Sequence, residues 1–323
     1  MNCTYLVTGG AGFIGSHLCD ALVAGGNRVI ALDDFSTGEV DNLKQLAGRP
    51  EFELVTGSVT DRDLLPGLVA RADRIFHLAA VVGVARVVES PVRTIETNIR
   101  GTDLLLEWAD REHKPVLLAS TSEVYGKSTA LPFDEEADLV FGPTDRGRWS
   151  YACSKALDEY LALAYHHERQ LPVVIARLFN TVGPRQSAKY GMVLPRFVQR
   201  ALAGAPITIY GDGTHTRCFC HVSDVVWALQ RLALAEGTTG KVFNLGTQER
   251  ISMLDLANLV KERLGSASEI EFVSYQSAFG ARFEESVDRV PDLRRIREAI
   301  GYDPKVTLVD IIDGIAEHFR AKG

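Results

Sequence analysis

No stretch of the 323-residue sequence stays apolar for the ~20 residues that a membrane span requires. No run of Lys or Arg appears, and 42 acidic residues outnumber 35 basic ones, for a net charge of -7. Nothing there points to a nucleic-acid or membrane partner, although a local basic pocket for a small anion fits the balance. The five cysteines, at 3, 19, 153, 218 and 220, are odd in number and irregular in spacing, which does not describe a disulfide framework. Cys218 and Cys220 form C-x-C without a second ligand pair, so buried packing is expected rather than metal. His17, His77, His113, His215 and His221 form no spaced metal set either. The chain enters a strand directly after Met1-Asn2-Cys3, leaving no room for a signal peptide, and a reducing, cytoplasmic setting is expected. Repeats and low-complexity segments are absent, and 46% hydrophobic residues argue against disorder.

What is present is alternation. Short β-rich runs at Thr4–Thr8, Arg28–Leu32, Phe52–Val55, Arg74–Leu78, Val116–Ala119 and Val173–Ala176 are separated by helical patterns, notably Val92–Ala109 and Tyr151–Arg169. Such alternation predicts a parallel sheet covered on both faces, a doubly wound α/β fold of the Rossmann type. After Asn180 the elements shorten and are broken by Gly and Pro. The expected division is a dinucleotide-binding domain over 1–180, to which some later segments return, and a smaller α/β lobe over 181–323 for the substrate.

Residues 9–15 read GGAGFIG, between a strand and a helix. Gly9, Gly12 and Gly15 permit a tight turn and let the backbone approach a pyrophosphate, which the helix N-terminus then faces. Asp33 ends the second strand, where a carboxylate accepts hydrogen bonds from the adenosine ribose. No arginine follows it to hold a 2′-phosphate, so NAD is expected rather than NADP. Capping of the next helix is an alternative that fits Asp34 or Ser36 as well as Asp33. Tyr151 and Lys155 lie four apart in a helical stretch and so share a face. A nearby ammonium lowers the pKa of a phenol and makes it a usable base. The fifth strand runs into Ser120-Thr121-Ser122-Glu123, at the sheet edge where ligands gather.

Together with LDDFSTG (32–38), HLAA (77–80), STSEVYG (120–126), YACSK (151–155), RLFNTVGPR (177–185), YGDGTHTR (210–217) and RVPDL (289–293), these pieces cover nearly the whole chain. The chain resembles the extended short-chain dehydrogenase/reductases, NAD-dependent epimerases, dehydratases and decarboxylases of nucleotide sugars. The resemblance implies that Thr121, Tyr151 and Lys155 form the redox triad, with Asn98 nearby. It implies a cofactor site that takes in Phe13, Ile14, Asp34, Thr37, Gly38, Leu78, Ala79 and Ala80. Many relatives carry aspartate after the third strand for adenine; here the segment is Gly57-Ser58-Val59, and Ser58 makes a weaker partner. On the substrate side the resemblance implies Ser122, Asn180, Arg185 and Arg217, with Asn180 and Arg217 facing the diphosphate and Tyr210 near uridine.

Three features bear on the reaction. Thr121-Ser122-Glu123 resembles the UDP-glucuronate decarboxylases, and 4,6-dehydratases also keep an acid here, whereas 4-epimerases commonly have an uncharged residue, so Glu123 argues against a plain epimerase more than for one reaction. Arg289, in Asp-Arg-Val-Pro-Asp, resembles the decarboxylase arginine, and an arginine binds a carboxylate through two hydrogen bonds. The stretch GPTDRGRWSYACSK, with Ala278-Phe279-Gly280 and Phe283-Glu284, resembles UDP-apiose/UDP-xylose synthase and the decarboxylase of the aminoarabinose lipid pathway. The expected activity is therefore NAD-dependent decarboxylation of UDP-glucuronate to UDP-4-keto-pentose or UDP-xylose. A UDP-glucose or UDP-glucuronate 4-epimerase is the alternative, and a non-catalytic NAD sensor a lesser one. A homodimer is expected, pairing helices near 92–109 and 151–169, with Leu157, Leu161 and Ala164 striping the second.

Overall fold

Long apolar strands separated by amphipathic helices can bury both sheet faces only if helices cover each side, and that is the arrangement adopted. The computed structural model describes residues 2–83, 90–190, 192–280, 284 and 288–322. Strands β1 (Thr4–Thr8), β2 (Arg28–Asp33), β3 (Phe52–Thr56), β4 (Arg74–His77), β5 (Val116–Thr121) and β6 (Val173–Leu178) all start where the sequence pattern starts them. They pair in parallel in the order β3-β2-β1-β4-β5-β6. A seventh strand, Lys241–Leu245, adds parallel to β6, so chain beyond residue 180 completes the sheet. β5 and β6 run two residues past their apolar patterns, because Ser120 pairs with Arg177 and Thr121 with Leu178. That extension carries Thr121 to the sheet edge.

Alternation along the strands sorts side chains into two cores. Val7 and Ala31 join Leu18, Leu22, Leu229 and Phe243 on one face. Leu6 and Ile30 join Leu65, Leu105 and Ala162 on the other. A third cluster belongs to the second lobe, where Leu194, Phe197, Ile207, Leu256 and Ile312 pack the helices Val193–Leu202, Met253–Leu264 and Leu308–Lys322 over the strand pair Ile207–Tyr210 and Ile270–Val273. Cys218 and Cys220 are fully buried, and no cysteine among the described residues is bonded to another. No described helix is long and apolar enough to cross a membrane.

Two long helices, Pro91–Arg111 and Arg148–Arg169, lie side by side. The first opens on proline, whose missing N–H costs nothing at that position. The second ends at Gln170 in the left-handed conformation. Its inner face is polar where most helices are apolar: Lys155, Asp158 and Glu159 are all buried. Glu159 receives the Arg177 guanidinium at 2.7 Å and the hydroxyl of Ser120. Leu161 packs toward the sheet, whereas Leu157 and Tyr160 are exposed, as are Val92 and Ile95 on the neighbouring helix.

Glu159→Ala would leave the Arg177 charge buried without its counterion. Such a cut typically destabilises by about 3–5 kcal/mol. Urea unfolding should show that loss, and an unchanged midpoint would mean that the pair does not hold the helix in place.

Candidate active site

A cleft of about 690 Å³ opens across the carboxyl ends of β1, β4 and β5 and reaches into the second lobe. Ligands of doubly wound sheets occupy this position, outside the point where strand order reverses. Gly9, Gly12, Phe13, Ile14 and Gly15 line one end of it. Gly9 has φ +72°, and a Cβ on it would come within 2.9 Å of the Ala79 nitrogen. A Cβ on Gly15 would overlap the Gly9 carbonyl oxygen. The turn is thus closed to side chains, and no side chain caps the helix that follows. Its first N–H groups suit a phosphate.

Asp33 stands beside that turn. Its carboxylate accepts the Ala11 N–H at 2.9 Å and the Phe35 N–H at 2.8 Å. Burial pushes its carboxyl above the usual range, and those backbone donors oppose the shift. A Cβ at Gly38 would come 2.9 Å from both Asp33 oxygens, so glycine there keeps the carboxylate approachable. Asp34 instead accepts the Ser36 N–H at 2.9 Å and closes a local turn. Asp34, Thr37, Ser58, Val59, Leu78, Ala79 and Ala80 complete this half of the lining. The Ser58 hydroxyl is shared with Thr60 at 2.8 Å. A glycine cradle, an exposed helix start and a carboxylate in that order fit a dinucleotide.

Asn98 and Gly38 do not line the cleft. Asn98 is buried behind it, accepting the Val81 N–H at 2.8 Å and donating to Ser154 at 3.2 Å. Ser154 in turn donates to the Tyr151 carbonyl at 2.8 Å, so Asn98 braces the cleft wall against the helix that carries Tyr151.

Thr121, Ser122, Glu123, Tyr151 and Lys155 meet at the middle of the cleft. The Thr121 hydroxyl accepts the Glu123 N–H at 3.3 Å, which turns the chain after β5. Glu123 faces Arg289 at 3.3 Å and Arg148 at 3.8 Å. Burial pushes its carboxyl up, but the charges of Arg148, Arg289 and Arg217 outweigh that and hold it below the usual range. Three guanidiniums thus face one carboxylate at the reacting end of the cleft, and guanidinium groups suit an anionic substrate.

The expectation for Tyr151 requires correction. Burial pushes its phenol well above the usual range, and the Glu123 charge adds to the rise. A hydrogen bond with Thr121 works the other way, without prevailing. The Lys155 ammonium is not free to lower it, because Asp158 takes that ammonium at 2.8 Å.

The substrate-side residues also line the cleft: Asn180, Arg185, Tyr210, Arg217 and Arg289. Asn180 donates to the Cys218 carbonyl at 3.0 Å, and Arg185 pairs with Asp20 at 2.7 Å. Arg196 stacks over the Tyr210 ring at 4.4 Å. Phe283 lies outside the described residues, as does the side chain of Phe279. Glu284 binds the Trp149 indole N–H at 3.0 Å and thereby steadies the start of the Tyr151 helix. Sequence reasoning missed Arg148 and Asp158. Arg148 precedes Tyr151 by three residues and Lys155 by seven, a one-face spacing that marks it. Among the described residues no His, Cys, Asp and Glu cluster suits a metal, and His77, pushed down to about 3 by burial, is neutral.

Comparison with known proteins places this site in context. The family model described as GDP-mannose 4,6 dehydratase matches residues 6–315. A UDP-N-acetyl-alpha-D-glucosaminuronate decarboxylase of Bacillus cytotoxicus is 40% identical, over 98% of this chain and 97% of that protein. UDP-glucuronic acid decarboxylase 6 of Arabidopsis thaliana is 38% identical, over 99% and 90%. Among solved structures, a dTDP-glucose 4,6-dehydratase of Streptomyces venezuelae with NAD bound superposes at TM-score 0.87, with 31% identity over 98% of this chain and 96% of that one. A UDP-glucose 4-epimerase of Thermotoga maritima with UDP-glucose superposes at 0.88, with 30% identity over 99% of each.

The depressed Glu123 carboxyl has a consequence for stability. The folded protein binds this proton less readily than the unfolded chain. The stabilisation is therefore present above the ordinary value of 4.5 and is lost as pH falls through the lower, folded value. Glu123→Gln should be less stable than the parent at neutral pH, with the gap closing on acidification. Urea unfolding at both pH values measures it, and a gap that persists in acid would contradict the charge cluster.

Proposed function

This chain belongs to the GDP-mannose 4,6-dehydratase family, and we propose that within it the protein is an NAD-dependent UDP-glucuronate decarboxylase. One observation carries the choice: Glu123 stands among Arg148, Arg217 and Arg289, directly beside Tyr151. An epimerase of a neutral sugar needs no guanidiniums gathered at the reacting end. A substrate with a carboxylate on C5 does.

A bound dinucleotide, held by Asp33 and the glycine turn, would supply the hydride acceptor for C4 of the sugar. Every other part falls to the chain. Asp33 and the glycine turn orient the dinucleotide. Tyr151, in its phenolate form, takes the proton of the C4 hydroxyl, and Thr121 holds that oxygen in line. Arg289 and Arg148 hold the uronate carboxylate, while Arg217 and Arg185 meet the diphosphate. With C4 a ketone, the sugar is a β-keto acid. The bond from C5 to the carboxyl carbon breaks, carbon dioxide leaves, and the electron pair becomes an enolate. A proton then returns to C5, and Glu123 orders the water or sugar hydroxyl that supplies it. The product is a UDP-4-keto-pentose, or UDP-xylose where the hydride returns to C4. The Bacillus cytotoxicus relative makes an N-acetylated UDP-uronate the second substrate to test.

Purified protein with NAD in excess over the substrate should release carbon dioxide from UDP-glucuronate. Conversion to UDP-galacturonate with the carboxylate intact would replace this reading with epimerisation. Glu123→Gln should still bind the substrate and lose at least ~100-fold in carbon dioxide release, the lower end for a lost acid–base group. Arg289→Ala should weaken uronate binding more than UDP binding.

The exposed Val92, Ile95, Leu157 and Tyr160 on the two long helices support a homodimer built on that face. Light scattering at micromolar concentration should give twice the chain mass, and a monomer would reject this pairing.

A further inference from the structure

Lys155 has two neighbouring acids on its own helix, and they do different work. Glu159 is committed to Arg177 and Ser120 beneath the sheet edge. Asp158 takes the Lys155 ammonium at 2.8 Å, with both side chains almost wholly buried, 3% and 1% exposed. Tyr151, Lys155 and Asp158 follow at i, i+4 and i+7, a single face of the helix. Asp158 also bonds to the side chain of Thr102 on the Pro91–Arg111 helix. Thr102 meets His77 at 3.1 Å, and His77 meets Thr8 at 2.8 Å. The Thr8 hydroxyl accepts the Ala79 N–H at 3.2 Å, and Ala79 is part of the cleft floor. A continuous polar string thus runs under the floor from the glycine-turn side of the sheet to the Lys155 ammonium.

A buried carboxylate is costly, and nothing in the reaction derived above uses this one. We propose that Asp158 is a positioning residue for the oxidation step: it holds the Lys155 ammonium as a buried neutral pair and so withholds that charge from the Tyr151 phenol. The proposal rests on the reading of Tyr151 as the base. An ammonium standing alone beside a phenol would favour the phenolate. An ammonium already neutralised does so far less, and the carboxylate itself favours the protonated phenol. The other groups facing Tyr151 are Glu123, which acts in the same direction as Asp158, and Arg289 with the Thr121 hydroxyl, which act against it. Those facing Asp158 are Lys155 and Thr102, which favour its charge, and Glu159, which opposes it. His77 is uncharged and contributes only its hydrogen bonds. Lys155 therefore helps Tyr151 only to the extent that it leaves Asp158.

Asp158→Asn keeps the shape and removes the charge. In the NAD-loaded enzyme, the acidic limb of the kcat profile reports loss of the Tyr151 proton. That limb should move down by about one pH unit in the variant, as removal of one charge several ångströms away implies. Thr102→Val breaks the string and keeps the charge; it should lower stability and leave the limb in place. A limb that stays put in Asp158→Asn, or that moves equally in both variants, overturns the proposal. The ultraviolet tyrosinate titration, taken as the difference from Tyr151→Phe protein, reads the same shift without turnover. A chain that shows this shift but releases no carbon dioxide keeps the Asp158 role and loses the decarboxylase reading. A variant whose tyrosinate titration matches the parent loses the Asp158 role whatever its activity.

Discussion

The ion pair between Glu159 and Arg177 is the joint on which the site depends. Arg177 is on β6, Ser120 on β5 and Glu159 on the long helix above them, so one bidentate contact couples three elements. Burial works against the Arg177 charge, and Glu159 more than restores it. The guanidinium also lies 4.8 Å over the Tyr125 ring, whose hydroxyl donates to Asn244 on the seventh strand at 2.7 Å. A helix held only by apolar side chains can slide by a turn at modest cost. Sliding this one would strip a buried guanidinium of its partner, a penalty of several kcal/mol. Register is therefore fixed electrostatically, and with it the distance from Tyr151 to Thr121.

The polar inner face of this helix explains why the cleft can be both ordered and charged. Glu159 anchors, Asp158 restrains Lys155, and Asn98 braces Ser154 from the neighbouring helix. Each of these groups is buried and paired, so none is free to collapse into the cleft. What projects into it is a short set of groups with a function: the Tyr151 phenol, the Thr121 hydroxyl and Glu123 with its arginines. Rigidity behind the wall supplies the preorganisation that bond-breaking needs.

The fold was legible because its signals are local. Every strand of β1–β6 starts at the residue that its apolar run marks, and the glycine turn and Asp33 follow from strand, turn and helix in order. Ser120 and Thr121 read from the sequence as sheet-edge residues, but how far the ladder runs was not legible, because Ser120, Thr121 and Arg177 extend it past the point where the apolar pattern closes. Tyr151 with Lys155 reads from spacing, and so in principle does Arg148. The partner of Lys155 does not. Two consecutive acids, Asp158 and Glu159, look alike in sequence. Only the packing of two helices and a strand decides that one faces Thr102 and Lys155 while the other faces Arg177.

Net charge illustrates the same limit from the opposite side. An overall balance of -7 would lead one to expect poor attraction for a UDP-uronate, which brings a diphosphate and a carboxylate. Yet Arg148, Arg185, Arg196, Arg217 and Arg289 all line the cleft, drawn from two helices, a turn, a short strand and an isolated bridge that are far apart in sequence. Field inside a low-dielectric cleft is set by the nearest charges, and distant surface acids are screened by solvent and salt. Glu123 draws Arg148 and Arg289 toward one point and so fixes where their guanidiniums stand in the cleft. The dinucleotide half of the site is common to oxidation in general. The charge arrangement around Glu123 is the part of the site on which the proposed choice of substrate rests.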